Sequence, residues 1–363
     1  MAEQYPVENE PSAPLFVTGL YGDKNGSPCI NVYSKSSALL KKPVWSWSPV
    51  TDDTLTGAQW KDLRQSQSIT EVKWADGGKK VVGLLGDYII LVSVPKDNQH
   101  KPHLVFATKM CDAPGAHSVE VIPDNRIAVA DTGKTVGNAG VQVYAIGSQR
   151  LGTGNYEQQV TGFPATHGLL WDQTKKWLWV VGANKWPTTE GAQGLLRAYA
   201  YDASTRLLNP QPATKDKKVG TGNRTKEAHN EWDSPHDVVG VPGTRKLLIT
   251  TEEDVYVWDI DKPEQDPVSA PQLKDFTSHS TERNDNGRPR SRFKSIGIRA
   301  GTGEIIYTQP SKWGSGNDYP DMIGFYKNPS SNDVVRLDQT TYKARWFEAT
   351  PHWESPLIQE PRW

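Results

Sequence analysis

Apolar and polar residues alternate along this chain in short runs, and the runs repeat. Five segments share one order: a polar or cationic residue, an alternating strand, a turn, then a second apolar strand. They begin at Thr70 (TEVKWADGGKKVVGLLG), His117 (HSVEVIPDNRIAVADT), His167 (HGLLWDQTKKWLWVVG), His236 (HDVVGVPGTRKLLITTE) and Lys294 (KSIGIRAGTGEIIYTQP). Successive starts lie 47, 50, 69 and 58 residues apart, the length of a four-stranded propeller blade with insertions. Third strands are expected at 88–95, 140–146, 195–202, 254–261 and 321–327, and weaker fourth strands at 104–110, 157–163, 270–276 and 333–339. Turn residues such as Asp76-Gly77-Gly78 and Pro123-Asp124-Asn125 separate them. Helix signals are confined to 57–67.

The two ends complement each other. Segments 15–21, 29–35 and 44–47 read as second, third and fourth strands without a first, and 342–349 as a first strand without followers. Joined, they make one more blade and close the ring, which removes the exposed sheet edge. The expected fold is all-β: a β-propeller of six counted blades over 15–363, preceded by an extended or disordered segment, 1–14. Segments 186–235 and 327–350 leave room for a seventh blade.

Composition narrows the picture further. Only 36% of residues are apolar, yet the chain holds 14 Trp, 31 Gly and 26 Pro, which points to many short strands and turns rather than to disorder. A net charge of −1 gives no support to a nucleic-acid surface, and no run approaches the roughly 20 apolar residues of a membrane span. Cys29 and Cys111 are either paired or free. The N-terminus lacks a signal-peptide pattern, so the expectation is a cytosolic protein, or a mature chain with its signal removed; sequons at Asn25 and Asn223 lean towards the second. Phosphate loops, nucleophile elbows and HExxH pairs are missing from the sequence.

In a propeller the first strand of each blade lines the channel, and the loop entering it lies on the top face. His117, His167, His236 and Lys294 should therefore ring the top of the channel, joined by Arg345 from the last strand. Three of the eight histidines share one repeat position, which favours a functional site over channel histidines that merely bind water. Two insertions enter first strands on the same face: 209–235, with Lys226, His229, Asn230 and Trp232, and 277–293, with Arg283, Arg288, Arg290 and Arg292. Most of these charges suit a solvated loop, but an Arg near the mouth could grip a carboxylate. Gln309 ends a second strand near the mouth, and Trp313 could stack on a sugar. Tyr307 and Tyr319 are further acid–base candidates, with packing the better role for Tyr307. Trp45, Trp47, Trp171, Trp177, Trp179 and Trp258 read as core. Asp237 follows His236 directly, and adjacent strand residues face opposite ways, so no His–Asp dyad is implied.

The HS, HG, HD and KS repeat starts, the WSW at 45–47 and the terminal YKARW resemble, over 15–349, a group of secreted β-propellers. Its fungal branch contains L-rhamnose-α-1,4-D-glucuronate lyases, polysaccharide lyases of gum arabic side chains. The resemblance implies seven blades, substrate at the anterior centre of the ring, an essential histidine, secretion and a structural calcium. It implies β-elimination without a catalytic cofactor. A base removes the C5 proton of the uronate, a cation neutralises the carboxylate, and an acid protonates the leaving O4. In a glucuronate H5 and O4 lie on one side, so a single imidazole can do both jobs. On that reading His117 is the acid–base group and His167 and His236 orient or bind. Lys294, Arg345, Arg292, Gln309 and Trp313 hold the sugar. The expected partner is an acidic polysaccharide and the expected state a monomer.

Three alternatives stand beside it. A metal-dependent uronate lyase would use the histidines and Gln309 as ligands. A non-catalytic propeller would only bind acidic carbohydrate. A protein-interaction propeller would need an apolar top face, which this sequence does not offer.

Overall fold

The computed structural model describes residues 14–359 apart from 24–25, 40, 96–99, 112–114, 134–138, 188, 221–233, 271–291, 311–318 and 329–330. Six antiparallel sheets of four strands or more form a β-propeller ring. Their inner strands are Thr341–Trp346 (blade 1), Ile69–Ala75 (blade 2), Ala116–Ile122 (blade 3), Gly168–Asp172 (blade 4), Asp237–Gly240 (blade 5) and Ser295–Ile298 (blade 6). Blade 1 is the composite of the two chain ends: Thr341–Trp346 pairs with Leu15–Leu20, followed by Cys29–Ser34 and Trp45–Trp47.

The middle strands explain why the fold holds. Each blade packs a neighbour on both faces, so these strands are apolar on both, as in Lys80–Leu85 (KVVGLL) and Tyr88–Ser93 (YIILVS). Six hydrophobic clusters of described residues result, one per blade interface. Val17, Val32 and Val81 lie between blades 1 and 2, and Phe16, Ile306 and Trp346 close the ring between blades 6 and 1. The turn residues Asp124 and Asn125 both have positive φ (60° and 56°), a conformation Asp and Asn tolerate.

After the last strand the chain straps the bottom face. The Trp353 indole donates to the Val241 carbonyl (3.2 Å), Arg245 lies 4.9 Å over its ring, and Ile358 N–H donates to Asp76 (3.0 Å). Gly240 makes room for it: a Cβ there would lie 2.2 Å from Trp353.

Several expectations need correction. The blade number is six, as counted from the repeats, not the seven implied by the resemblance. The long third spacing contains the outer strand of blade 4, Leu207–Pro212, and a short strand, Lys217–Val219, so the insertion assigned to 209–235 is partly sheet. Leu207–Pro212 (LLNPQP) lacks the apolar pattern of the other strands because it is an exposed edge strand, where polar residues and Pro are tolerated. Blade 5 ends in Val268–Ser269 rather than at 270–276, most of which lies outside the described residues. The strand expected over 29–35 stops at Ser34, where Lys35–Leu39 forms a helical turn. Within 57–67 the helix is realised as Ala58–Trp60 and Lys61–Gln65, anchored by buried Trp60 and Leu63. Cys29 and Cys111 are not joined in a disulfide. Among the described residues no helix is long and apolar enough to cross a membrane.

Candidate active site

A backbone irregularity builds the top of the channel. At each repeat start two residues oppose one on the second strand. Asp237 pairs with Thr250 while His236 N–H also donates to the Thr250 carbonyl (2.8 Å). Gly168 and His167 share Val181, and Ser295 and Lys294 share Thr308, in the same way. In blade 3 the register shifts between Ala116 and Ser118, which leaves His117 as the extra residue. Such bulges re-aim side chains. Here they turn two consecutive residues towards the channel, so both His236 and Asp237 reach it, against the simple alternation expected from the sequence.

The first of those residues forms the upper ring. The His117 and His167 rings stack 4.7 Å apart at 16°, and His236 meets His167 edge-on at 5.3 Å. The other face of His117 is covered by Tyr342 at 5.0 Å. Tyr342 holds in blade 1 the position that the histidines and Lys294 hold elsewhere. Sequence reasoning named Arg345 instead, although aligning YKAR with HDVV and KSIG places Tyr342 at the repeat start. Lys294 Nζ lies 3.1 Å from His236 Nε2 and 2.5 Å from Glu252 Oε1, and His236 Nε2 is 2.6 Å from the same oxygen. Arg292 Nε stands 3.5 Å from Glu252 Oε2. Glu252, in the turn between the second and third strands of blade 5, had no repeat signature to betray it. His167 Nδ1 points at the Ala165 carbonyl (3.0 Å), which fixes the proton on that nitrogen.

Exposure ranks these groups. His167 and His236 are 4% and 2% exposed, and Lys294, Arg292 and Tyr342 are also buried. His117 alone of the three imidazoles is half-buried. Its Nδ1 and that of His236 have no hydrogen-bond partner among the described residues. Gln309 is fully buried. Tyr307 packs in the cluster between blades 5 and 6, and the strand tryptophans Trp45, Trp47, Trp171, Trp179 and Trp258 are core, with Trp177 against its edge. Trp313, Lys226, His229, Asn230, Trp232, Arg283, Arg288, Arg290, Asn25, Asn223 and the segment 1–13 lie outside the described residues.

The second residues of the inner strands form a charged layer beneath. Lys343 Nζ reaches Glu71 (3.2 Å), Asp237 (3.5 Å) and the His167 carbonyl (3.1 Å). Arg345, two residues further down, donates from Nη2 to Glu71 (3.0 Å) and Asp237 (2.8 Å) and from Nη1 to Asp237. Arg345 therefore sits below the mouth, with its charge already matched. Near it Lys73 holds Glu120 (3.0 Å). Calcium wants six to eight free oxygens, but each of these carboxylates is already held by Lys or Arg. Among the described residues no three His, Cys, Asp or Glu side chains are arranged for a metal ion. The channel acids thus do not fit the calcium that the resemblance implies.

Burial and the positive neighbours set the protonation states. Burial first, then Lys343, His236 and Lys294, push His117 down to about 3. Burial and Lys294 push His236 down to about 4, and burial holds His167 well below its usual value. Burial alone would raise Glu71 and Asp237, but Arg345 and Lys343 outweigh it and hold both below the usual carboxylate range. All three imidazoles are therefore neutral at pH 7. In the unfolded chain they titrate near 6.5, so it takes up protons first as the pH falls. Folding stability should drop from about pH 6.5 towards 4, by about 1.4 kcal/mol per pH unit for each imidazole that stays neutral in the fold. Losses from Glu71 and Asp237 come later, below about pH 4. Thermal melts between pH 7 and 4.5 check this; a flat melting temperature would mean the folded imidazoles accept protons readily.

No family model and no curated protein matches the sequence. Among solved structures, a chain in the crystal structure of a nidogen/laminin complex is similar, with a TM-score of 0.53 at 9% identity, covering 92% of this chain and 99% of that one. That chain is a six-bladed propeller, and at such low identity the likeness shows the fold alone: this protein is a six-bladed β-propeller.

Proposed function

We propose that the protein is a polysaccharide lyase that cleaves the rhamnose–glucuronate linkage of acidic glycans such as gum arabic. One observation carries this reading. Three neutral imidazoles meet at one channel mouth, where two described cations, Lys294 and Arg292, face one carboxylate, Glu252. Two cations at one mouth suit an acidic sugar. Its carboxylate would be met by Lys294 and Arg292, and Glu252 and His236 hold Lys294 in place. Neutralising that carboxylate makes the C5 proton removable.

His117, the most exposed of the three, is the acid–base group. It is unprotonated, and the incoming carboxylate raises its basicity by offsetting the cations around it. It takes the C5 proton as the C5–H electrons form the C4–C5 double bond and the C4–O4 bond breaks. The resulting imidazolium returns the proton to O4. L-Rhamnose and a 4,5-unsaturated uronate leave, and no water is consumed. A gum-arabic substrate places the enzyme outside the cell, in keeping with the sequons at Asn25 and Asn223.

The burial of His167 and His236 favours a second reading, a propeller that only binds acidic carbohydrate. One experiment separates them. The protein is incubated with rhamnose-capped glucuronate oligosaccharides while ultraviolet absorbance of the conjugated uronate and free rhamnose are followed. Both should rise together. Binding without either signal would establish the non-catalytic reading, and activity lost on exhaustive chelation would establish a metal-dependent lyase.

A further inference from the structure

We infer that the mouth continues into an aromatic subsite, formed by Tyr319 and Tyr21 beside Tyr342, that takes the neutral sugar attached to the acidic one; this rests on the acidic-sugar reading of the mouth. Tyr319 is one of the few large hydrophobic side chains left exposed among the described residues, at 44%. Its ring lies 5.7 Å from Tyr21 and 6.0 Å from Tyr342, and Tyr342 stacks at 5.0 Å on His117. Ring contacts thus run without a break from an open phenol to the proposed acid–base group. The Tyr21 hydroxyl is buried and has no hydrogen-bond partner among the described residues. Burial, then Tyr319 and Asp23, raise its pKa, so it remains a protonated donor.

The charge pattern selects the occupant. Lys294 and Arg292 stand on blade 6 and its entry, whereas among the described residues the tyrosines feel carboxylates: Asp23, which accepts from Thr340 N–H (3.2 Å), acts on Tyr21, and Glu252 and Asp237 act on Tyr342. An anionic ring is repelled there, and aromatic faces carry negative potential of their own. A neutral pyranose presents C–H groups to such faces and hydroxyls to the Tyr21 donor. With the acidic unit on the cations and O4 beside His117, the group leaving from O4 falls towards Tyr342 and Tyr319.

Binding of two probes decides the matter by calorimetry: methyl glucuronide, and an uncleavable S-linked rhamnosyl-glucuronide. The wild type should bind the disaccharide about tenfold more tightly, the size of one good aromatic contact. Tyr319→Ala should erase that advantage and leave methyl glucuronide unchanged, Tyr319→Phe should keep it, and Tyr21→Phe should lose part of it. Tyr319 is exposed, so its substitution does not threaten folding. If methyl glucuronide binds but the wild type shows no advantage, or Tyr319→Ala keeps it, the aromatic subsite is refuted and the acidic-sugar mouth stands. If the wild type binds neither probe, both readings fall.

Discussion

His117→Ala should lower turnover of rhamnose-capped glucuronate by about 10²–10⁴-fold, the usual range for loss of a positioned acid–base group. The size follows from its place in the site. His117 lies between His167 and Tyr342, with one unpartnered nitrogen, and is the most exposed imidazole of the mouth. His236 is already committed to Glu252 and Lys294. Because Ala leaves a gap in the ring stack, His117→Gln serves as a second variant that fills it. Both should retain the wild-type melting temperature within a few degrees and lose turnover. A folded variant with near wild-type rates would remove His117 from the chemistry and shift the search to His167 and His236.

The largest loss of stability is expected from Arg345→Ala. Arg345 serves Glu71 and Asp237, carboxylates 274 and 108 residues away in sequence and fully buried. Removing it leaves Lys343 as the main counter-charge in a layer from which water is largely excluded. Breaking a buried ion pair from one side typically costs about 3–5 kcal/mol, because the abandoned charge must be desolvated without compensation. Denaturant unfolding measures this directly. Lys343→Met should act in the same direction, since Lys343 is the other cation bound to both carboxylates. The sequence alone placed Arg345 among the substrate-binding groups. A stable Arg345→Ala variant with a raised KM would restore that role, whereas lost stability with an unchanged KM in the folded fraction assigns it to the channel.

These two outcomes also separate the layers of the channel. The upper ring of imidazoles, Lys294 and Tyr342 carries the proposed chemistry. The layer beneath ties blades 1, 2 and 5 together by charge. Glu120, which burial raises against the pull of Lys73, extends the network to blade 3. Substitutions above should change rates, and substitutions below should change unfolding.

Much of this architecture was readable in the order of residues. Blade length, strand alternation and the composite closing blade are local patterns of period two, repeated at near-constant spacing, and such patterns survive without knowledge of contacts. The convergence of His117, His167 and His236 followed from their shared repeat position, because ring symmetry carries equivalent positions to one axis. Three things needed the folded chain. Tyr342 completes the upper ring, Glu252 enters it from a turn outside the repeat, and Arg345 lies a level below. The bulge at each repeat start decides all of this locally, since it turns two successive residues towards the axis where alternation would send one away. Which charge then meets which is decided across the ring, between strands hundreds of residues apart, and no periodicity along the chain records that distance.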